Sequence, residues 1–225
     1  MISEQLKKNF YQNFILNFDA LKPMTKIIEE CDSSTVSHSF HVSEYVRMML
    51  EYIKNNRLYP HIVSDDYVEN IKFASIFHDV GKIKIPDEIL NKAGKFTKEE
   101  YEIMKTHTTE GKNIMKKVFS GPENSTLLKY AEDIVLYHHE KWDGSGYPTG
   151  ISKEDIPLCA RIMAVADVFD ALVSKRVYKE KMSVDEAYNV LKEESGKHFD
   201  PQIVDIFINI RYDVEEYVKK IEEGI

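Results

Sequence analysis

Two adjacent histidines, His138 and His139, stand at the end of an apolar-periodic run that predicts a helix over residues 131–137. The chain then passes through residues 143–148, where Asp-Gly, Gly and Pro favour a tight loop. Neighbouring residues of a helix point about 100° apart. Two such imidazoles can therefore serve two adjacent metal ions better than they can hold one between them. The alternative is a capped helix followed by a surface turn, and ligands elsewhere in the chain argue against it.

A second pair of ligand types, His78 and Asp79, ends another predicted helix, about residues 67–79, whose inner side is apolar. Gly81 follows as a predicted helix C-cap. Burying either ionisable side chain without a partner would be costly. The pair therefore indicates a metal site or a tightly hydrogen-bonded unit.

Three further polar residues interrupt apolar helical faces. His38 and His107 each fall among the inward positions of a predicted helix. Asp167 lies in the most apolar predicted helix, residues 157–174, with Asp170 three positions later on the same face. Two carboxylates in such a helix need a compensating positive charge.

Taken together, these residues form a candidate metal-ligand set: His38, His78, Asp79, His107, His138, His139 and Asp167. Each alone could be a satisfied core residue, but seven in one domain are hard to explain without metal. Imidazole and carboxylate without thiolate suit Fe, Mn, Co or Ni better than a structural zinc. Seven side chains suit two ions bridged by a carboxylate, for which Asp79 is the natural candidate, and by a water or hydroxide. Such pairs, about 3.5–4 Å apart, recur in phosphoryl transfer.

Positive charge near such a centre could come from Lys82, Arg176 and Lys179. The chain has a net charge of −8, which argues against binding nucleic-acid polymers or membrane surfaces. An anionic substrate would then need a local positive site. For Arg176 and Lys179, ordinary solvated loop charges are the alternative.

The elements that must position these residues are predicted to be helices throughout. The chain has 225 residues with only 7 Pro and 9 Gly, which is typical of one all-α domain. We expect an N-terminal helical extension over residues 1–31 and the main domain over residues 32–225. The extension is interpreted as structural, with a homodimer contact as the lesser alternative.

Several local signals refine this prediction. A capping box of Thr97 and Glu100 opens a helix that is expected to continue through His107. Asp65 or Asp66 is expected to cap the start of the helix predicted over about residues 67–79. The charged tail, residues 213–223, is predicted to be a solvated amphipathic helix.

The cellular setting is predicted from what the chain contains. Its two cysteines, Cys31 and Cys159, have no ligand-like spacing, which suggests a reducing compartment. The chain opens without the pattern of a signal peptide and has no apolar run of membrane-spanning length. A cytoplasmic protein is expected.

The motifs as a group resemble the HD-GYP family of the HD phosphohydrolase superfamily. The resemblance covers about residues 32–207. It rests on His78-Asp79 with Gly81-Lys82, and on His138-His139-Glu140 followed by Asp143-Gly144-Ser145-Gly146-Tyr147-Pro148. An isolated His-Asp pair is a weak signal, whereas the second stretch together with the rest is highly specific.

This resemblance implies an HD-domain helical bundle with a buried metal centre of two or three ions, often iron. It implies hydrolysis of the bacterial second messenger cyclic di-GMP to pGpG and often on to GMP, by a hydroxide that bridges the metals. By matching position, the seven residues named above are the metal ligands. Asp79 and Lys82 are then the catalytic candidates, and Lys82 is expected to contact the scissile phosphate. Tyr147, Arg176 and Lys179 are substrate-binding candidates.

Two positions depart from the family pattern and bear on the metal count. His41 replaces a common Arg, and Ser34 stands where some three-metal members have Glu. We therefore expect two ions, with iron first and manganese as the alternative, and we expect His41 to hydrogen-bond to a carboxylate or a phosphate.

Two other functions stay open at this point. One is hydrolysis of another nucleotide, such as a different cyclic dinucleotide. The other is a non-catalytic cyclic di-GMP receptor or interaction module whose GYP loop docks a partner such as a diguanylate cyclase.

Overall fold

The computed structural model describes residues 35–119, 125–174 and 181–223. The chain divides into two compact units, Met1–Val36 and Ser37–Ile225, and the second contains nearly all of the described residues. The predicted extension, residues 1–31, lies outside the described residues. The division at residue 31 therefore stays a prediction.

The described part of the chain is helical, which confirms the all-α prediction. It contains no named β-strand, and an isolated bridge joins Ser195 and Phe199. The α-helices are α1 (Thr35–Asn55), α2 (Asp65–Ser75), α3 (Asp87–Leu90), α4 (Lys98–Lys105), α5 (His107–Val118), α6 (Ser125–Tyr137), α7 (Leu158–Val173), α8 (Val184–Glu193), α9 (Pro201–Asn209) and α10 (Arg211–Glu223). Two 3-10 helices span Val80–Lys84 and Lys153–Asp155.

Helix α2 begins and ends differently from the prediction. Its N-cap is Ser64, whose side chain accepts a hydrogen bond from the Tyr67 amide, so the predicted cap at Asp65 or Asp66 is wrong. Those two acids occupy the first turn, where negative charge interacts favourably with the helix dipole. Because α2 stops at Ser75, the residues at 78 and 79 lie in the turns between α2 and the first 3-10 helix.

The single helix predicted through His107 is two helices. The capping box of Thr97 and Glu100 is confirmed at the start of α4. The chain leaves regular helix at Thr106 and re-enters it at His107, the first residue of α5. The break allows α5 to take its own direction, with a ligand candidate at its tip.

Helix α7 is the central helix, as its apolar sequence predicted. It packs against α6, α8 and α9. Phe169 lies at its inner face in edge-to-face contact with Tyr45 and Phe207, at ring-centroid distances of 5.3 and 4.9 Å. Aromatic pairs of this geometry stabilise a core beyond the area that they bury.

The last helix, α10, is more than the solvated face that was predicted. Val214 and Val218 are buried, whereas Tyr212 is 74% exposed. The two valines are four residues apart and therefore share one face of the helix. Among the described residues, no helix is long and apolar enough to cross a membrane.

Candidate metal centre

The metal-ligand candidates come together from five parts of the chain. His38 lies in α1 and Asp167 in α7, His107 begins α5, and the two adjacent pairs follow α2 and α6. Their ligand atoms fall into two groups, each with all atoms within 4.8 Å of one another. The groups are Asp79, His107, His138 and His139, and His38, His78 and Asp167. All seven predicted ligands are therefore brought together.

A close backbone approach places Asp79 beside His107. A Cβ atom on Gly81 would lie 1.8 Å from the His107 carbonyl oxygen and 2.5 Å from the Gly111 nitrogen. Only a residue without a side chain fits there, so the first 3-10 helix packs directly against α5. Gly81 is thus part of this 3-10 helix rather than the predicted C-cap of α2.

Three of the histidines are oriented by the backbone behind them. Nδ1 of His78 lies 3.0 Å from the carbonyl oxygen of Ser75. Nδ1 of His107 lies 2.7 Å from the carbonyl oxygen of Met104, and Nδ1 of His138 lies 3.0 Å from that of Ile134. A carbonyl oxygen can only accept, so each Nδ1 carries the proton. Each Nε2 then presents a lone pair to the centre. This is the usual way in which proteins fix a metal-ligating histidine.

The same Nε2 atoms are the best indication that the centre fits a metal ion. Nε2 of His78, His107 and His138 and Oδ1 of Asp79 are buried and have no hydrogen-bond partner among the described residues. Buried polar atoms are normally satisfied, and leaving several unsatisfied in one place would be destabilising. Divalent ions at the two groups would satisfy these atoms, since neutral imidazole and carboxylate are suitable donors.

Asp79 lies between the two groups of ligands. Its Oδ1 is 3.4 Å from Nε2 of His107, while its Oδ2 is 3.3 Å from Nε2 of His78 and 2.6 Å from Nζ of Lys82. The two oxygens thus face different groups, as a bridging carboxylate must. Burial alone would raise the pKa of Asp79. The positive charge of Lys82, together with the neighbouring histidines, outweighs burial and holds the pKa of Asp79 well below its usual value.

His38 is held differently, between two carboxylates of α7. Its Nδ1 donates to Asp170 Oδ2 at 2.7 Å, and its Nε2 lies 3.1 Å from Asp167 Oδ1. Burial lowers the pKa of His38, but its hydrogen bonds to the two aspartates outweigh this effect and raise the pKa to about 9. In contrast, burial lowers the pKa of His107 to about 4, so that its imidazole is neutral at pH 7.

Asp170 also contacts the residue that departs from the family pattern. Nδ1 of His41 lies 3.3 Å from Asp170 Oδ1, so His41 is beside a carboxylate, while the expected hydrogen bond stays a prediction. The interaction with a phosphate, the other expected partner, stays a prediction.

The loop that follows α6 is anchored to the ligands themselves. The ring of Tyr147 stacks on that of His139, with centroids 4.8 Å apart and an interplanar angle of 29°. The amide of Tyr147 donates to the His139 carbonyl oxygen at 3.2 Å. The Tyr147–Pro148 peptide bond is cis. Tyr147 therefore lies beside the centre, as predicted.

A buried carboxylate, Glu140, holds the far side of this loop. Its Oε1 accepts from the amide and the hydroxyl of Thr149, at 2.6 and 2.7 Å, and from the amide of Gly150 at 3.1 Å. Gly146 packs on the same segment, where a Cβ would lie 2.5 Å from the Glu140 Cα atom. The residues next to the two histidines therefore set the path of the loop.

Of the three basic residues predicted to contact the substrate, the structure describes Lys82. Lys82 is at the centre and contacts Asp79, with its side chain 29% exposed. Arg176 and Lys179 lie outside the described residues, so their substrate-binding role stays a prediction.

Two residues that support the candidate site, Asp170 and Glu140, were not among the predicted site residues. Each had a signal in the sequence. Asp170 follows Asp167 by three positions in the most apolar helix, and Glu140 directly follows the two histidines. What could not be foreseen was their partners, since Asp170 bonds a histidine 132 residues away.

The fold and this centre define an all-helical protein with a histidine–aspartate site suited to divalent metal. The chain belongs to the HD domain family, whose model matches residues 31–203. This confirms the superfamily that the motifs suggested.

Comparison with curated proteins identifies relatives that are longer than this chain. A cyclic di-GMP phosphodiesterase of Vibrio cholerae serotype O1 is 40% identical over 191 residues, which are 85% of this chain and 39% of that protein. A 3′3′-cGAMP-specific phosphodiesterase 2 of the same organism is 34% identical over 199 residues, 88% of this chain and 37% of that protein. The chain thus spans about two fifths of the length of these relatives.

Among solved structures, Bd1817, an HDG"Y"P protein from Bdellovibrio bacteriovorus, has the same fold. The TM-score is 0.59 at 19% identity, and the match covers 80% of this chain and 53% of that chain. At this identity the likeness concerns the fold.

Proposed function

We propose that this protein is a metal-dependent phosphodiesterase that hydrolyses cyclic di-GMP to pGpG, GMP or both. The observation that carries the proposal is the position of Asp79. Its two oxygens face separate groups of candidate ligands. In those groups, Nε2 of His78, His107 and His138 is buried and has no hydrogen-bond partner among the described residues. The cyclic di-GMP phosphodiesterase among the relatives supports this substrate.

The chemistry follows from how the chain's own residues are held. When bound, two divalent ions would activate a water molecule and neutralise charge that develops on the phosphate. The carbonyl oxygens behind His78, His107 and His138 keep each Nε2 lone pair directed inward. Asp79 contributes one oxygen to each ligand group. Lys82 contacts Asp79, which supports the proposal that its positive charge contacts the scissile phosphate.

We further propose two ions, with iron first and manganese as the alternative. The ligand set contains imidazole and carboxylate donors, which suit these metals. His41, which could serve a third ion, lies against Asp170 instead. Anomalous diffraction at the metal edge tests the count. Three strong peaks at the site, one of them contacted by residue 34 or 41, would contradict it.

The activity is tested with protein purified without oxygen and loaded with ferrous iron or manganese. Metal content is measured, and the products of cyclic di-GMP are separated by chromatography. We expect pGpG or GMP to form only in the loaded protein. Intact cyclic di-GMP after long incubation, with two metal ions bound, would overturn the proposal in favour of the receptor or interaction module.

A second substrate is supported by the 3′3′-cGAMP-specific relative. Parallel measurements of kcat/KM for cyclic di-GMP and 3′3′-cGAMP decide between the two substrates. We expect a higher value for cyclic di-GMP, because the motif around Tyr147 resembles the HD-GYP family. A higher value for 3′3′-cGAMP would assign the protein to the other substrate.

The remaining proposals concern partners and substrate contacts. The GYP loop exposes Asp143 and Ser145, which could contact a diguanylate cyclase. We also propose, from the sequence, that the protein forms a homodimer and is cytoplasmic. Arg176 and Lys179 are proposed to hold the substrate, so Arg176→Ala should weaken binding of cyclic di-GMP while bound metal is retained.

A further inference from the structure

A tyrosine of α4 extends the ring contacts of the metal centre to the surface. The ring centroid of Tyr101 lies 6.2 Å from that of Tyr147, with the planes at 80°. Tyr147 in turn stacks on the ligand His139. Tyr101 is 47% exposed. A continuous series of rings thus runs from the ligands to a half-exposed aromatic side chain.

A lysine of the same helix adds positive charge to this series. Nζ of Lys105 lies 5.5 Å from the ring centroid of Tyr101 and 5.8 Å from that of Tyr147. These distances allow a cation–π interaction with both rings. Lys105 also lies 2.7 Å from Glu102, and its side chain is 26% exposed. The ammonium group is thus held beside the rings at the edge of the site.

This combination suits a nucleotide. Proteins hold unpaired bases by stacking them on aromatic side chains and bind the attached phosphates with positive charge. A cyclic dinucleotide carries two bases and two phosphates. If one phosphate lies at the metal centre, a base and the other phosphate must lie beside it, and the surface formed by Tyr101, Lys105 and Tyr147 is adjacent to the ligands.

We propose that Tyr101 and Lys105 form a nucleobase subsite, in which Tyr101 stacks on a purine and Lys105 interacts with the phosphate that is not cleaved. The proposal rests on the function proposed above and makes these two residues determinants of substrate binding. Neither is a metal ligand. The competing explanation is that Tyr101 only packs α4 against the loop that carries Tyr147.

Substitution of Tyr101 by Leu separates stacking from packing, because Leu keeps apolar bulk but lacks a flat ring. In the metal-loaded protein, Tyr101→Leu should raise KM for cyclic di-GMP about tenfold, the scale of one lost base stack. Tyr101→Phe should remain close to the wild type. The melting temperature and the bound metal should not change. Tyr212→Ala, on the exposed part of α10, is the matched control.

Lys105 is tested in the same assay. Lys105→Gln should raise KM for cyclic di-GMP several-fold and weaken its dependence on salt, whereas Lys98→Gln, an exposed lysine of the same helix, should change neither. An unchanged KM for cyclic di-GMP in Tyr101→Leu would overturn the subsite, and a lower melting temperature or a loss of bound metal in that variant would assign the residue to packing.

A binding measurement keeps this result separate from the fate of the proposed function. Saturation-transfer NMR with GMP reports contact between the base protons and the protein without turnover. We expect a signal in the wild type and in Tyr101→Phe and its loss in Tyr101→Leu. If the wild type fails to hydrolyse cyclic di-GMP but shows this pattern, the proposed function fails and the subsite stands. If GMP gives the same signal in Tyr101→Leu as in the wild type, or none in either, the subsite is wrong.

Discussion

Asp170 accepts a hydrogen bond of 2.7 Å from Nδ1 of His38 and thereby turns Nε2 of that histidine toward Asp167. The other oriented histidines use backbone carbonyl groups for the same purpose. Asp170 thus holds a candidate ligand, His38, and is not itself in either group of candidate ligands. A carboxylate behind a ligating histidine also increases its basicity.

The first prediction concerns this carboxylate. Asp170→Asn should lower metal affinity by about 10–100-fold, the usual effect of removing such a partner. Competition with a chelator measures the affinity, and circular dichroism verifies the fold. Asp205→Asn, at an exposed position of α9, should have no effect. Equal affinities in wild type and Asp170→Asn would show that the hydrogen bond does not matter for binding.

The second prediction tests the bridge. Asp79→Ala and His78→Ala should each abolish turnover of cyclic di-GMP and reduce bound metal, because each removes a predicted ligand. Metal content is measured by mass spectrometry alongside product formation. His61→Ala, an exposed histidine outside both groups, is the control. Full metal content and activity in Asp79→Ala would exclude its bridging role.

The third prediction concerns the loop held by Glu140. Glu140→Gln removes the charge that accepts hydrogen bonds from Thr149 and Gly150. Hydrogen bonds to a charged group contribute about 1.5–3 kcal/mol. We expect faster deuterium exchange at these two amides and a higher KM, with bound metal retained. Glu154→Gln, exposed in the nearby 3-10 helix, should behave as the wild type, and unaltered exchange in Glu140→Gln would refute the anchoring role.

The fourth prediction compares two glycines at the crossing of the first 3-10 helix and α5. Gly81→Ala would place a Cβ 1.8 Å from a backbone oxygen, whereas Gly111→Ala would meet a side-chain methyl group of Val135 at 2.3 Å. The methyl group can move more easily than backbone. We expect Gly81→Ala to be destabilised by about 3 kcal/mol, the upper end of overpacking effects, and Gly111→Ala by less. Chemical unfolding of both variants measures the order, and the reverse order would show that the crossing relaxes.

The fifth prediction concerns pH in the protein stripped of metal. The pKa of His38 is raised from an ordinary 6.5 to about 9, so protonated His38 stabilises the folded state. This contribution is complete below pH 6.5 and is lost as pH rises through about 9. The melting temperature of metal-free protein should therefore fall over this range. His38→Gln should lack this decrease, and a flat profile in the wild type would contradict it.

Metal binding should show the opposite dependence on pH. A ligating histidine must be neutral, so binding has to release the proton of His38. Metal affinity should rise with pH up to about 9, measured by chelator competition in the wild type and His38→Gln. Activity should likewise fall in mild acid.

The sequence by itself determined the helical class and predicted the seven residues that the structure brings together at one centre. Both rest on local pattern. His38, His107 and Asp167 interrupt apolar helical faces, and the adjacent pairs end such faces, so their presence in a core indicated a ligand without knowledge of the packing. The capping box at Thr97 was equally readable, because its two partners are three residues apart.

The tertiary structure alone decided which residues support those ligands. Asp170 meets His38 only because α7 packs beside α1, and Tyr101 meets Tyr147 only because α4 lies beside the loop. Helical periodicity predicts which face of a helix is buried, but it does not predict which helix that face contacts. Gly81 shows the same limit. Its sequence context suggested a C-cap, while the fold uses its missing side chain to bring two backbone segments into contact.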